Sequence, residues 1–233
     1  MTGIDFAHRA RLPERMDADD LPAAIYARVL ADLARANSWT LARPPTLAWL
    51  ARATRGMTAF TLVDVGFGHG DMLRAIAGCA RRRGIAARLT GVDLNPKSAA
   101  VARAATDPGL GIDYVSGDAA ALGFTPDFVV SSLVTHHMEE NEIIRFLQWM
   151  EASAARGWFV NDLHRHPVAW AGFGVLATVM RWHPIVRHDG MLSVRRSFRR
   201  ADWQALIAAA GIDRSTVSLR WHLPFRLCVG RIR

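Results

Sequence analysis

The stretch Leu62-Val63-Asp64-Val65-Gly66-Phe67-Gly68-His69-Gly70-Asp71 decides the fold. Thr61 to Val65 is a short, mostly apolar run of the kind a buried parallel strand needs. It stops at three glycines spaced two apart. Glycine takes φ > 0 readily and, having no Cβ, lets a ligand lie against the backbone. From Asp71 the period turns helical, with Met72, Leu73, Ile76, Ala77 and Ala80 on one face. Strand, glycine turn and helix in that order form the lip of a crevice at the carboxyl edge of a parallel sheet.

A dinucleotide-binding turn would place a pyrophosphate at the helix N-terminus, with a third glycine where this chain has Asp71. A carboxylate there repels phosphate, so the turn suits a nucleoside ligand without one. Further acidic residues follow at successive strand ends. Strand two closes on Gly91-Val92-Asp93-Leu94-Asn95-Pro96, and an acid there can accept two hydrogen bonds from a ribose diol. Strand three is followed by Ser116-Gly117-Asp118-Ala119, where Asp118 could accept from an adenine amino group. One such Asp is often only a helix cap; several at successive strand ends face a single crevice.

Outward from that core, strands alternate with helices, which predicts a parallel sheet. Strands are expected at Phe60–Val65, Leu89–Leu94, Ile112–Ser116, Phe128–Leu133 and Trp158–Leu163. Helices are expected at Asp71–Arg82, Lys97–Ala105 and Glu140–Ala155, then Ala201–Ala210. Strands Thr216–Trp221 and Arg226–Gly230 end the chain as an antiparallel hairpin. Residues 1–57 form a helical extension, with Asp20 capping a helix Pro22–Ala36 and a second helix over Pro45–Thr54. The extension is expected to roof a substrate pocket over a main domain of residues 58–233. An insert, 165–200, begins with an apolar helix, Pro167–Trp182, too short to span a bilayer. It is either a buried or homodimer-forming helix or the apolar wall of a pocket. After it, His188-Asp189-Gly190 reads as a turn.

Together, Leu62–Asp71, Gly91–Pro96, Ser116–Ala119 and Phe128–Met138 resemble motifs I to IV of the class I S-adenosylmethionine (SAM)-dependent methyltransferases. The resemblance implies an α/β, Rossmann-like seven-stranded sheet, mostly parallel with an antiparallel last strand, and helices on both faces. It implies that Asp64 and the turn Gly66, Phe67, Gly68 and Gly70 cradle the methionine end of SAM. Asp93 would hold the ribose, Leu94 would pack on the adenine, and Asp118 with Ala119 would fix its edge. Ser131 and Ser132 would line the methionine moiety.

The fourth motif, Ser131-Ser132-Leu133-Val134-Thr135-His136-His137-Met138, lacks the Asn/Asp-Pro-Pro-aromatic signature of enzymes that methylate nucleic-acid amines. It looks like the branch acting on small molecules, among them quinone precursors and polyketide phenols. Val186–Gly190 and Ser193–Phe198 resemble bacterial methyltransferases of phenolic polyketide pathways. The expected activity is therefore O-methylation of an apolar or aromatic small molecule, with N- or C-methylation, a SAM-binding pseudo-enzyme and an RNA methyltransferase as alternatives. A phenol with pKa near 10 must lose its proton as it attacks, and a histidine suits that work. His137 and His136 are the candidates, His137 first because it lies further past the strand end. His164, His166 and Asp162 stand in reserve. No Cys or carboxylate stands at ligand spacing from the histidine pair, so no metal is expected.

The composition fits this reading. A chain of 233 residues that is 51% hydrophobic and 21% charged can bury a sizeable core. The net charge of +8 raises the question of nucleic acid or an anionic membrane surface. The excess is arginine, with Lys97 the only lysine, which also fits a genome of high GC content. Cys79 and Cys228 lie far apart and read as small apolar residues without a disulfide. No apolar leader follows Met1, so a cytoplasmic protein is expected.

Overall fold

In the computed structural model, which describes residues 4–233, two helices precede the sheet: α1 (Ala23–Trp39) and α2 (Arg43–Ala53). The first strand is β1 (Ala59–Val65), and the glycine turn leads from it into α3 (Asp71–Arg82). Next come β2 (Ala86–Asp93), α4 (Pro96–Ala104), β3 (Ile112–Ser116), β4 (Phe128–Ser132), α5 (Glu140–Ser153) and β5 (Gly157–Leu163). The insert supplies α6 (Pro167–Val179) and α7 (Pro184–Arg196); α8 (Arg200–Ala209), β6 (Ser218–His222) and β7 (Arg226–Ile232) complete the chain.

The seven strands form one sheet in the order β3-β2-β1-β4-β5-β7-β6, with β7 antiparallel to both its neighbours. The order reverses between β1 and β4, so their carboxyl ends open a crevice between diverging connections. Side chains alternate across each strand and build two cores. Phe128, Val130 and Phe159 meet α2, α3 and α4, where the Trp49 and Phe159 rings stack at 5.1 Å. Val129, Trp158, Val160 and Val229 meet α5 and α8.

The N-terminal extension divides its loyalties. Helix α2 joins the sheet core: the buried Asn161 amide on β5 donates to the Ala42 carbonyl at 2.6 Å and to Thr46 Oγ1 at 3.0 Å. Helix α1 instead packs Val29, Leu33 and Ala36 on Phe173, Leu176, Ala177, Trp182 and Val186 of the insert. Extension and insert thus share one apolar cluster over the crevice. Cys79 and Cys228 are free thiols, and among the described residues no helix is long and apolar enough to cross a membrane.

Two local expectations are corrected. Asp20 does not cap α1; its N-cap is Pro22, whose fixed φ serves the helix start instead. His188-Asp189-Gly190 is not a turn but the middle of α7. Gly190 is there because a Cβ would overlap the Phe173 ring of α6, and Asp189 because its carboxylate binds another segment. Close helix packing, not chain reversal, explains that glycine.

Gly157 gives a stability test. A Cβ there would overlap the Arg231 carbonyl on β7, and a backbone oxygen cannot rotate away. Gly157→Ala should destabilise the fold by about 1–3 kcal/mol, the range for overpacked sites. Urea denaturation would show it as a lower midpoint at unchanged slope; an unchanged midpoint would mean that the β5–β7 pair has slack.

Candidate active site

The turn after β1 is shaped by what each glycine touches. Gly66, Gly68 and Gly70 all have positive φ: 74°, 51° and 74°. A Cβ on Gly70 would overlap the Tyr114 hydroxyl, so Gly70 serves packing and does not face the cavity. A Cβ on Gly66 would overlap Val134, which closes the β1–β4 crevice from the other side. Only at Gly68 is the space open, with Leu30 Cδ2 the nearest atom at 3.6 Å. Gly68 donates its N–H to Asp93 Oδ2 at 2.9 Å, and the Asn95 N–H donates to Oδ1 at 2.9 Å. The Asp93 carboxylate is thereby fixed at the lip of β2, with further lone pairs available to a diol.

Three carboxylates gather under this turn. Asp64 is buried, and burial, Asp71 and Asp93 together push its pKa well above the usual range. Burial also raises Asp71, although Arg43 stands 3.5 Å away, and it raises Asp93 despite its two backbone donors. Asp64 Oδ1 and Asp71 Oδ2 are buried without a hydrogen-bond partner. An acidic floor with unpartnered oxygens calls for a cationic ligand.

Asp118, Ala119, Leu94 and Ser132 border the cavity. Asp118 Oδ1 accepts the Ala120 N–H at 2.8 Å, which leaves Oδ2 available. Leu94, 78% exposed, overhangs the rim. Ser131 departs from its assigned place: it is buried and donates its hydroxyl to the Val65 carbonyl at 3.0 Å. Strand alternation turns it away from the side that Ser132 faces.

Past β4 the chain reverses through Leu133, at φ 62°, a conformation that costs a non-glycine residue about 1–3 kcal/mol. This bend aims a short 3-10 turn, Thr135–His137, at the cavity. Its anchor is Asp162 on β5, which is fully buried. The carboxylate accepts the His136 N–H at 3.0 Å, the His136 ring Nδ1–H at 2.7 Å and the Thr135 hydroxyl. Burial alone would raise Asp162; His136 and these donors outweigh it and hold the pKa at about 2. His137 is half-buried. Burial pulls its pKa down, but the bond to Asp17 at 2.9 Å and the charge of Glu14 outweigh that and leave it raised.

Glu14 and Asp17 belong to the extension, which the sequence expected to roof a pocket without naming either side chain as part of the site. Residues 4–22 run as a strap across the insert and the 3-10 turn. Asp189 on α7 accepts the backbone N–H groups of Arg15 and Met16 at 3.1 and 2.8 Å. Arg196 donates to the carbonyls of His136 at 2.9 Å, His137 at 2.8 Å and Leu12. Arg165 donates to those of Phe6 at 2.9 Å and Ala7 at 3.0 Å. The strap delivers a buried Glu14 beside both histidines. Arg226 on β7, also missed, is buried in the cavity wall with Nε and Nη1 unpartnered and its pKa pulled down to about 10 by burial. The reserve histidines lie off the cavity: His166 caps α6 through Nδ1, and His164 is partly buried beyond it.

The cavity they enclose measures about 820 Å³ and runs from the Gly68 turn past His136 and His137 to Phe173 and Leu176 of the insert.

Residues 62–157 match the family model described as a methyltransferase domain. Over those residues the chain is similar to a methyltransferase domain. No curated protein sequence matches it. Among solved structures, the chain is similar to the magnesium protoporphyrin IX methyltransferase of Synechocystis PCC 6803 with bound SAM, at 15% identity and TM-score 0.55, over 94% of this chain and 88% of that one. It is also similar to the plantazolicin methyltransferase BpumL with a pentazolic analog and the demethylated product SAH, at 14% identity and TM-score 0.61, over 91% and 95%. The mitomycin 7-O-methyltransferase MmcR aligns at 20% identity and TM-score 0.55, over 80% and 53%. These likenesses speak to the fold.

SAM is the cofactor that such a domain implies, and the residues present fit it. The acidic floor of Asp64 and Asp71 suits the ammonium and sulfonium charges, and the open face of Gly68 leaves room for the ligand beside the backbone. Asp93, held by two backbone donors, keeps lone pairs that a diol could use. Asp93→Ala should therefore weaken SAM binding at least tenfold, since hydrogen bonds to a charged group contribute about 1.5–3 kcal/mol each. Calorimetric titration would show it; undiminished affinity would remove Asp93 from the ribose site.

Proposed function

We propose that this methyltransferase transfers the SAM methyl group to a hydroxyl oxygen of an apolar, aromatic small molecule of the phenolic or polyketide type. The observation that carries the reading is the continuity of one cavity, from the Gly68 turn, past the histidine pair, into a chamber walled by Leu30, Leu33, Phe173 and Leu176. The extension and the insert, in this reading, are the acceptor's cap.

SAM, when bound, supplies a methyl group on a good sulfonium leaving group. The chain has to position the acceptor, exclude water and remove one proton. His136 suits the last task better than His137, which the sequence favoured. Its Nδ1–H is committed to Asp162, so the lone pair stands on Nε2, turned toward Glu14 and the cavity. Asp162, ionised at neutral pH, stabilises the imidazolium that forms. His137 bonds Asp17 on the strap and supports the same corner. The RNA alternative loses ground because Arg165, Arg196 and Arg226 are buried, leaving them unavailable to phosphates.

The experiment offers tritiated SAM and a panel of phenols and naphthols to the protein and follows label entering methyl ethers. Failure across the panel, with SAM bound, would turn the reading to N- or C-methylation or to a SAM-binding pseudo-enzyme. With an acceptor in hand, His136→Ala should lower kcat by about 10²–10⁴-fold, the usual share of general-base catalysis, with SAM affinity unchanged. A loss below tenfold would dismiss His136 as the base. Phe173→Ala should raise KM for the acceptor and spare SAM affinity; unfolding instead would make Phe173 a core residue.

A further inference from the structure

The corner where strap and histidine pair meet has a geometry that proton transfer alone does not account for. Each imidazole has one nitrogen committed. His136 Nδ1 lies 2.7 Å from Asp162, and His137 Nδ1 lies 2.9 Å from Asp17. A carboxylate only accepts, so both Nδ1 atoms carry protons, and in the neutral imidazoles both Nε2 atoms carry lone pairs. Those lone pairs face the oxygens of a single buried carboxylate, Glu14, at 3.7 Å for His136 and 3.6 Å for His137. Neither distance is a hydrogen bond. Acceptors confronting acceptors in a buried corner repel one another unless a proton or a metal ion stands between them.

The spacing fits a metal. Two ligand atoms about 2.0–2.2 Å from a tetrahedral ion stand about 3.3–3.6 Å apart. The three ligand atoms lie within 4.8 Å of one another, and among the described residues this is the only such group of three or more His, Cys, Asp or Glu side chains. Each is also held from behind, as metal ligands are. Asp162 orients His136, Asp17 orients His137, and the Ser193 hydroxyl donates to Glu14 Oε1 at 2.8 Å. All three line the cavity, so a fourth coordination position can open toward it.

We propose that Glu14, His136 and His137 bind a divalent transition-metal ion of the zinc, cobalt or nickel type. Two neutral imidazoles and one carboxylate suit that class; magnesium and calcium prefer all-oxygen sites. Ligand spacing along the sequence could not reveal the third ligand, because the carboxylate arrives from a strap far upstream of the histidines. The bound ion has two effects. It ties the strap to the turn after β4, and it takes both Nε2 lone pairs, so it inhibits methyl transfer. The second effect rests on the reading of His136 as the base; the binding does not.

Full-length protein, stripped with a chelator, is titrated with Co²⁺ alone. The visible ligand-field bands of four- or five-coordinate cobalt should grow to saturation at one ion per chain, and Zn²⁺ should abolish them. Glu14→Gln should weaken the affinity at least tenfold, and Zn²⁺ should raise the melting temperature of the wild type and not of this variant. If Glu14→Gln fails to fold, His137→Gln, at a half-buried position, carries the same comparison. Absent bands, or equal cobalt affinity in a folded variant, would overturn the site. Saturating Zn²⁺ should suppress methyl transfer and a chelator restore it; undiminished transfer by the saturated protein would overturn the inhibition. Protein that binds SAM and methylates but ignores cobalt refutes the metal and keeps the methyltransferase reading. Protein that binds cobalt but methylates no acceptor does the reverse.

Discussion

One buried carboxylate, Asp162, determines where the histidine pair stands. It accepts the Thr135 hydroxyl, the backbone and ring N–H groups of His136, and the Leu163 N–H at 2.7 Å. A buried charge is tolerable when it is satisfied in this way. The cluster locks the loop after β4 onto the end of β5. That lock is what sustains Leu133 at positive φ, and Leu133 in turn directs the 3-10 turn over the crevice. Without it, the histidines would hang from a loop with no fixed bearing on the Gly68 turn.

The second constraint is the use of arginine as an internal tie. Guanidinium presents five donors in a rigid fork, which suits it to capturing several carbonyls at once. Arg196 gathers carbonyls from the strap and from the histidine turn; Arg165 gathers two from the strap and pairs with Asp202 at 3.0 Å. Arg9, on the strap, reaches back to the carbonyls of Arg196 at 2.7 Å and Met138 at 2.9 Å. A sequence pI of about 11.0 therefore overstates the charge offered to partners. Several of the cations point inward and hold backbone.

The sheet was legible because its signals are local. A strand, a glycine turn and an amphipathic helix declare themselves within twenty residues, and acids at successive strand ends point to one crevice. The terminal hairpin and the antiparallel β7 followed in the same way. What was illegible depends on pairings between remote segments. Glu14 carries no signature of its own; only the contact of the strap with Ser193 and Asp189 makes it part of a site. Asp162 was noticed but ranked low, because one acid at a strand end does not reveal four donors converging on it. Gly190 misled for a related reason: glycine marks turns in a sequence, and here it marks the close approach of two helices. Ser131 was misassigned because neighbouring strand residues face opposite sides.

The strap also dictates an order of assembly. Its partners Arg165, Asp189, Ser193 and Arg196 lie near the far end of the chain, so the residues made first dock last. Bringing such distant segments together is entropically slow compared with forming the local α–β units. A ribosome-bound chain that has exposed only the first five strands therefore carries a finished glycine turn and an unroofed cavity. Its apolar wall, shared between α1 and the insert, stays open to water until α7 has emerged.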